Sequence, residues 1–434
     1  MKKRTNAMVK KYAIITMLGI TVSFFIGNSL NAQERKINIS GFSEFTYEMA
    51  AGDVVDEEAA EVYDEFGLIK EYSEERNSLH FPGIGLVFST DLYEEKLTFL
   101  TEINFRTKYS RLDLGLERAF MNYQINNAFN IQTGIFSTPI GYLNRKVRTH
   151  GFLSNSVRTR DMVNLQYGLI LTRIYGIKFH GSFENDNGQA IKYEVAIGSG
   201  RGITPEQSPF EIDIYEDNES SMSLSGVLEF YLPFNDNELT IGLSGYTVPK
   251  YKSVFFEELG DEISLSDLDE FMAEEEGEEE DEEFNIELAE YKEWGFAPFI
   301  HFENPKFEFI AEYHYFITTG YENELEDITE AEGKEYNYQG FSAEFTYKTK
   351  LMKKRFKPYV RYDFIDLPEN GGPYLGLHEA NFELKRFALS DNSAIMFGVN
   401  WNILPFNHIK LEYNYVLTGP QPTHAILFQS AFVF

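Results

Sequence analysis

Apolar and polar residues alternate with a period of two from Ile37 to the end of the chain, which indicates β-strands that present two different faces. Segments 97–106, 307–317 and 409–415 each place aliphatic and aromatic residues on one face and mostly charged or amide residues on the other. A soluble β-sandwich would bury the apolar face, whereas a membrane barrel would turn it towards lipid. Alternation alone therefore leaves both architectures open.

Sixteen segments carry this pattern, and each is of strand length. We expect strands at 36–49, 78–90, 96–107, 115–126, 129–136, 171–183, 189–200, 221–232, 238–248, 293–303, 306–318, 336–349, 356–366, 393–404, 408–418 and 424–434.

The connections between these segments alternate between short and long. The short ones carry turn residues such as Asn126-Asn127 and Asn304-Pro305, and the intervening ones are mostly long, polar and acidic. Short periplasmic turns alternating with long extracellular loops, together with an even number of strands, are typical of outer-membrane barrels. The sequence thus predicts an all-β fold, a transmembrane antiparallel β-barrel of about 16 strands. Its last strand ends at Phe434 and resembles the assembly signal of bacterial outer-membrane proteins.

The first 32 residues are predicted to be a secretory signal peptide. Five lysine and arginine residues precede an apolar run at 13–26, and a plausible cleavage site follows Ala32. The run is shorter than the roughly 20 residues of a spanning helix, which disfavours a membrane anchor. Residues 33–434 then form the barrel, and the predicted location is the outer membrane.

The charge of the chain is concentrated in a few loops. The chain contains 38 basic and 69 acidic residues and no cysteine. Segment 257–290 has eighteen acids and no base, so we expect an acidic extracellular loop over 250–292. This loop is a solvated charge run, a funnel that concentrates cations, or a loose site for divalent cations. A nucleic-acid partner is not expected, because phosphate binding needs a basic surface.

One segment, 137–170, is basic in this acidic chain and separates two predicted strands. It contains Arg145, Lys146, Arg148, Arg158 and Arg160, and we interpret it as the constriction loop of a channel. Rings of arginine or lysine are the expected filter for anions. The alternative is that these residues pair with acids of the barrel wall and brace the loop. Alternation predicts that the lumen is lined by Arg106, Arg118, Lys178, Lys192, Glu102, Glu194, Glu308 and Glu312.

The sequence contains only incomplete versions of the motifs for catalysis or metal binding. His378-Glu379 begins like a zinc-protease motif but lacks the second histidine, and the eight histidines show no ligand spacing. No dinucleotide fingerprint or nucleophile elbow is complete. We therefore expect no enzyme activity, no cofactor and no metal site. A catalytic dyad assembled from residues on different strands would not appear as a sequence motif.

Segment 117–144 resembles the phosphate-selective porin O/P-like family of outer-membrane porins. The resemblance rests on Gly134-Ile135-Phe136, Thr138-Pro139-Ile140-Gly141 and Asn144, and on the strand around 175–181. It implies a passive channel, often a homotrimer, whose third long loop folds into the barrel. The dense lysine ladder of that family is not recognisable here, so phosphate selectivity is not implied.

The sequence as a whole predicts an outer-membrane porin for passive diffusion of small hydrophilic or ionic solutes. Its expected partners are the lipid bilayer of the outer membrane and the permeating solutes. The alternative is a non-conducting barrel that serves as a surface adhesin or as a subunit of an envelope complex.

Overall fold

The computed structural model describes residues 37–51, 75–93, 96–108, 111–146, 154–157, 170–200, 222–254, 288–320, 335–366, 392–417 and 423–434. The predicted signal peptide and most of the predicted acidic loop lie outside these ranges. No helix within them is long and apolar enough to cross a membrane.

Nearly all of the described chain is β-strand. The strands are β1 (Ile37–Ala51), β2 (Glu75–Tyr93), β3 (Leu97–Lys108), β4 (Arg111–Asn126), β5 (Phe129–Ser137), β6 (Arg173–Glu184), β7 (Ala190–Ser199), β8 (Met222–Phe234), β9 (Asn237–Val254), β10 (Leu288–Glu303), β11 (Phe307–Gly320), β12 (Glu335–Tyr347), β13 (Thr349–Leu351), β14 (Lys354–Asp366), β15 (Asn392–Leu404), β16 (Asn407–Val416) and β17 (Thr423–Val433). One short helix, α1 (Leu143–Lys146), follows β5. All sixteen predicted strands are present, and the extra strand β13 is a short continuation of β12 beyond Lys348.

The strands form one closed antiparallel sheet in which each strand pairs with its neighbours in the chain. The first and last strands complete the circle, with Phe42 opposite Val433. The backbone of Gly41 and that of Phe434 exchange two hydrogen bonds of 2.8 and 2.9 Å. Closure gives the long strands that the structure describes a partner on each side, and the short strand β13 pairs with β14. The predicted barrel is therefore confirmed.

The polarity of the barrel is inverted relative to a soluble protein. In β9, Ile241 and Leu243 point outwards and are about half exposed, whereas Ser244 points inwards and is buried. In β11, the inward residues Glu312, His314 and Thr318 are each at most 1% exposed. The period of two in the sequence thus becomes an apolar outer surface around a polar interior.

Short turns at one end of the barrel follow from the side chains that the sequence places there. The Oδ1 atom of Asn304 accepts hydrogen bonds from the backbone N–H groups of Lys306 at 2.8 Å and Phe307 at 2.7 Å. Asn126 caps the β4–β5 turn in the same way. Asparagine favours such turns because its side chain replaces a backbone acceptor. These turns define what we call the short-turn end of the barrel.

A hydrophobic cluster fills part of the barrel interior. Four of its members belong to the connection between β5 and β6 and not to a strand, and each is at most 4% exposed: Ile140, Leu143, Ile170 and Leu171. They belong to one cluster with inward residues of β9 to β12, among them Tyr246, Tyr291, Phe316 and Tyr338. The chain between β5 and β6 therefore enters the barrel and packs against its inner wall.

Leu243→Arg tests the outward face at mid-strand. A guanidinium held in hydrocarbon at this depth should lower the free energy of unfolding in lipid by about 2–4 kcal/mol. Met222→Arg is the matched control, because Met222 points outwards at the end of β8, where the cost should be about 0–1 kcal/mol. Denaturant titration in lipid vesicles measures both. Equal losses would contradict an outward face that meets lipid.

Candidate functional site

The segment between β5 and β6 leaves and rejoins the wall at one closed neck. The backbone N–H of Thr138 donates to the carbonyl of Thr172 at 3.0 Å. The side-chain amide of Asn144 donates to both the Thr138 carbonyl, at 3.0 Å, and the Thr172 carbonyl, at 3.1 Å. At the exit, Arg173 pairs with the buried Glu117 at 2.9 Å. The neck thus holds the segment at a defined place on the wall.

Gly141 sits where the segment turns towards β11. Its φ of +63° lies in the left-handed region, which favours glycine. A Cβ atom here would collide with the carboxylate of Glu312. The backbone N–H of Gly141 donates to Ser244 Oγ at 2.7 Å, and that hydroxyl donates to the Ala297 carbonyl at 3.0 Å. Conformation and close approach therefore both require glycine.

Glu312 holds the start of helix α1 against the wall. Its carboxylate accepts hydrogen bonds from the backbone N–H groups of Tyr142 at 2.5 Å and Leu143 at 2.9 Å. The same carboxylate contacts the imidazole of His314, which is also buried. A buried carboxylate is tolerated only when its oxygens are satisfied in this way. Glu312 therefore acts as an anchor for the loop and is not free to contact a solute.

Arg145 ties the same helix to two further strands of the inner wall, β7 and β8. Its Nε donates to the Gly141 carbonyl at 2.7 Å, while its guanidinium pairs with Glu194 at 2.5 Å and with Glu229. Burial disfavours the charged guanidinium, but the two carboxylates outweigh it and raise the pKa of Arg145. Only 4% of this side chain is exposed. The sequence left open whether Arg145 contacts permeating ions or braces the loop against the wall. Its two ion pairs are those of a brace.

Lys146, the next residue, has a different environment. Its side chain is exposed and makes no ion pair with any residue that the structure describes. The surrounding protein and then the nearby Arg145 lower the pKa of its ammonium group. Glu194 and Glu229 act on this ammonium group in the opposite direction, so Lys146 is exposed but lies in the field of the same carboxylates that hold Arg145.

A second part of the segment, 154–157, lies against other strands. The side-chain amide of Asn155 donates to Glu344 and to Thr346, both at 3.1 Å. The backbone N–H of Val157 donates to Glu412 at 2.9 Å. These partners belong to β12 and β16, whereas Arg145 and Gly141 are held by β7 to β11. The two anchors lie on different parts of the wall.

Two buried cations complete this second anchor. Arg361 donates to the hydroxyl of Ser156 at 2.5 Å, and Lys410 donates to the carbonyl of Ser156 at 3.1 Å. Both side chains are fully buried. Arg361 also pairs with Asp363 at 3.1 Å. The inner wall at β14 and β16 thus satisfies the irregular backbone of the segment with charged donors.

The predicted lumen residues that the structure describes all lie on inward faces and have these neighbours: Arg118 with Glu102 at 2.6 Å, Lys178 with Glu194 at 3.0 Å, Lys192 over the Tyr231 ring, Glu308 with His301 at 3.2 Å, and Glu312 with α1. The side chain of Arg106 and the whole of Arg148, Arg158 and Arg160 lie outside the described residues. The predicted roles of Arg148, Arg158 and Arg160 in the constriction and of Arg106 in the lumen lining stay predictions.

Several anchoring residues escaped the sequence reasoning. Glu229 and Ser244 receive the first part of the segment, and Glu412 receives the second. The available signal was a lone charge in an otherwise apolar alternation, as Glu229 is in Gly226–Phe234. A basic run at 348–357, with six lysine and arginine residues and no acid, was also missed.

One group of side chains has the composition of a metal site. Ligand atoms of His301, Glu303 and Glu308 lie within 4.8 Å of one another. The ammonium group of Lys348 contacts Glu303 and lies 3.8 Å from Glu308. Because this cation already pairs with both carboxylates, we assign no metal to the group.

Comparisons with known proteins bear on the fold. No family model matches this sequence, and no curated protein matches it. Among solved structures, OmpT of Vibrio cholerae with loop L8 deleted, an outer-membrane protein, matches 93% of this chain and 100% of its own, with a TM-score of 0.51 and 11% identity. The anion-selective porin from Comamonas acidovorans matches 92% of this chain and 100% of its own, with a TM-score of 0.50 and 10% identity.

OprB of Pseudomonas putida matches 92% of this chain and 94% of its own, with a TM-score of 0.50 and 8% identity. The chain folds as a porin-like barrel. Identities this low show a likeness of fold alone. The predicted resemblance to the phosphate-selective family is not confirmed by these matches, and the porin-like barrel is the finding that stands.

Gly141→Ala tests the turn at the start of the anchor. The substitution combines left-handed strain with a collision at Glu312, so the free energy of unfolding should fall by about 1–3 kcal/mol. Gly115→Ala is the control, because a Cβ atom there meets only a backbone oxygen at 3.9 Å. Its change should stay within about 0.5 kcal/mol. Denaturant unfolding measures the free energy of unfolding of both variants. Similar losses in the two would show that position 141 has no special requirement for glycine.

Arg145→Met tests the brace. Removing the guanidinium leaves Glu229 as an uncompensated buried charge and should cost about 3 kcal/mol of unfolding free energy. Adding Glu229→Gln should recover part of that loss. A double-mutant cycle measures the coupling between the two residues. Strictly additive losses would show that the ion pair does not hold the helix.

Proposed function

We propose that this protein is an outer-membrane channel for the passive diffusion of small hydrophilic or ionic solutes. The observation that carries the proposal is the combination of an apolar outer surface with a charged interior in one closed barrel. An apolar outer band suits lipid, and a polar interior suits water. Barrels of this strand number enclose an aqueous channel.

The segment within the barrel is the proposed constriction. It is anchored at two separate parts of the wall, through Glu312 and Arg145 in its first part and through Asn155 and Ser156 in its second. Irregular backbone at membrane depth is tolerated only where protein or a water-filled cavity surrounds it. A segment held in this way narrows the lumen and leaves a passage whose charge depends on the residues that remain free.

Fewer cations are then available to set the ion selectivity than the number of basic residues in segment 137–170 implies. Arg145 is engaged by two carboxylates, whereas Lys146 remains exposed. We propose Lys146, with Arg148, Arg158 and Arg160, as the groups that meet permeating ions. The wall at β3 and β4 adds mixed charges, such as the pair of Arg118 and Glu102. Mixed lining charge supports a weakly selective channel rather than a phosphate-specific one.

Orientation and assembly follow from the same proposal. The short turns face the periplasm and the long acidic loops face the exterior, as in other barrels of this kind. A homotrimer, implied by the resemblance to the phosphate-selective porins, is the proposed oligomer.

A planar-bilayer recording on the purified protein tests the proposal. A channel should produce discrete conductance steps after insertion. A barrel that inserts but never conducts would overturn the proposal and favour the adhesin or envelope-complex alternative.

Lys146→Glu tests the contribution of the constriction to selectivity. Because the side chain is exposed and makes no ion pair with a described residue, the charge reversal should shift the reversal potential towards cation preference. Lys353→Glu, on the exposed β13–β14 turn, is the control and should shift it little. Recordings under a salt gradient measure both variants. Equal shifts would mean that the segment does not form the narrowest part of the passage.

A further inference from the structure

The hairpin of β13 and β14 projects from the short-turn end as a strongly basic wall. Strand β12 pairs with β11 only as far as Tyr347, opposite Phe307, so β13 continues beyond the β10–β11 turn. Within the hairpin, Lys350 lies opposite Arg355 in register. The alternation of β12 and β14 places Lys348, Lys350, Arg355 and Lys357 on the inward face.

A pocket of about 480 Å³ lies at this mouth of the barrel, and its lining has two walls of opposite charge. The basic wall consists of Lys350, Arg355 and Lys357. The acidic wall consists of Asp236, from the turn between β8 and β9, and Glu238, at the start of β9. The ion pair of Lys348 and Glu303 belongs to the lining as well and is internally balanced.

The charges at the two ends of the pocket are available to a ligand. Within the described residues, Lys350 and Arg355 make no ion pair, and both side chains are exposed. Asp236 likewise has no ion pair in the described ranges. A site with an unpaired guanidinium and ammonium at one end and two carboxylates at the other is complementary to a molecule that carries both charges. Of these carboxylates, Glu238 interacts with the hydroxyl of Tyr231, whereas Asp236 does not. A simple anion would be repelled by the acidic wall, and a simple cation by the basic one.

We propose that this pocket binds zwitterionic solutes, namely free amino acids and short peptides, as they pass the mouth of the channel. The solute's carboxylate meets Arg355 and Lys350, because a guanidinium suits a carboxylate through paired hydrogen bonds. Its ammonium group meets Asp236 and Glu238. The volume is within the range of pockets that hold small molecules. The inference deepens the proposed channel function and rests on it for the solute's route.

The binding must be weak. Ion pairs between exposed groups contribute little because water and salt screen them. Two such contacts predict a dissociation constant weaker than 1 mM, on the order of tens of millimolar. Weak binding is what a channel needs, because a solute that enters must also leave.

Three dipeptide probes of one size distinguish this pocket from a general ion site: dialanine, N-acetyl-dialanine and dialanine amide. NMR titration of each probe against the full chain in detergent measures binding without requiring conduction. Dialanine should bind about tenfold more tightly than the anionic or the cationic derivative. Equal binding of dialanine and N-acetyl-dialanine, or tighter binding of inorganic phosphate, would identify an anion site and overturn the proposal.

Paired variants assign the two walls. Lys350→Gln with Arg355→Gln should abolish dialanine binding, and Asp236→Asn with Glu238→Gln should remove the preference for dialanine over N-acetyl-dialanine. Lys353→Gln with Lys354→Gln removes the same charge from the hairpin outside the pocket lining, and binding should be retained. Loss of binding in this control would overturn the assignment to the pocket.

Bilayer recordings of the same variants separate the two proposals. A barrel that conducts but does not bind dialanine overturns only the pocket. A barrel that binds dialanine but does not conduct overturns only the channel.

Discussion

Backbone hydrogen bonds between β1 and β17 close the sheet, and the two faces of every strand thereby acquire different surroundings. An open sheet would leave unpaired N–H and C=O groups along two edges, which an apolar environment does not tolerate. Once the sheet is closed, the side-chain period of two divides the residues into an outer and an inner set. The apolar outer surface, the charged interior and the space for an internal segment all depend on this closure.

The interior has to accommodate charges that a soluble core would exclude. An isolated buried carboxylate is costly, whereas one that accepts several hydrogen bonds is stable. Glu312 satisfies this condition with the backbone of Tyr142 and Leu143, and Glu229 is compensated instead by its ion pair with Arg145. The same contacts position the internal segment. Charge compensation and loop placement are therefore one arrangement rather than two.

The hydrophobic cluster inside the barrel adds a second kind of support. Ile140 and Leu143 pack against aromatic residues of β9 to β12, so the segment is held by apolar burial as well as by polar contacts. Among the residues that the structure describes, Lys146 and the mouth-pocket residues Lys350, Arg355 and Asp236 are charged groups that make no ion pair. Both proposed sites of solute contact therefore consist of charged side chains that do not hold the internal segment in place.

Strand number, turns and closure could be predicted because they depend on local properties of the chain. Alternation predicts the two faces, and Asn126 and Asn304 predict the turns, since an asparagine side chain completes a turn with its own neighbours. The glycine at position 141 was visible as part of a motif. The physical requirement for glycine there was not visible, because the collision of a Cβ atom with Glu312 involves residues 171 positions apart.

The sequence by itself determined the barrel, its inverted polarity and the interruption between β5 and β6. Only the tertiary structure decided which charges are engaged. Arg145 and Lys146 are adjacent cations that look alike in the sequence, yet one lies between two carboxylates and the other is exposed. The physical reason is that ion pairing depends on distance across the lumen, between strands far apart in the chain, and local alternation contains no information about that distance.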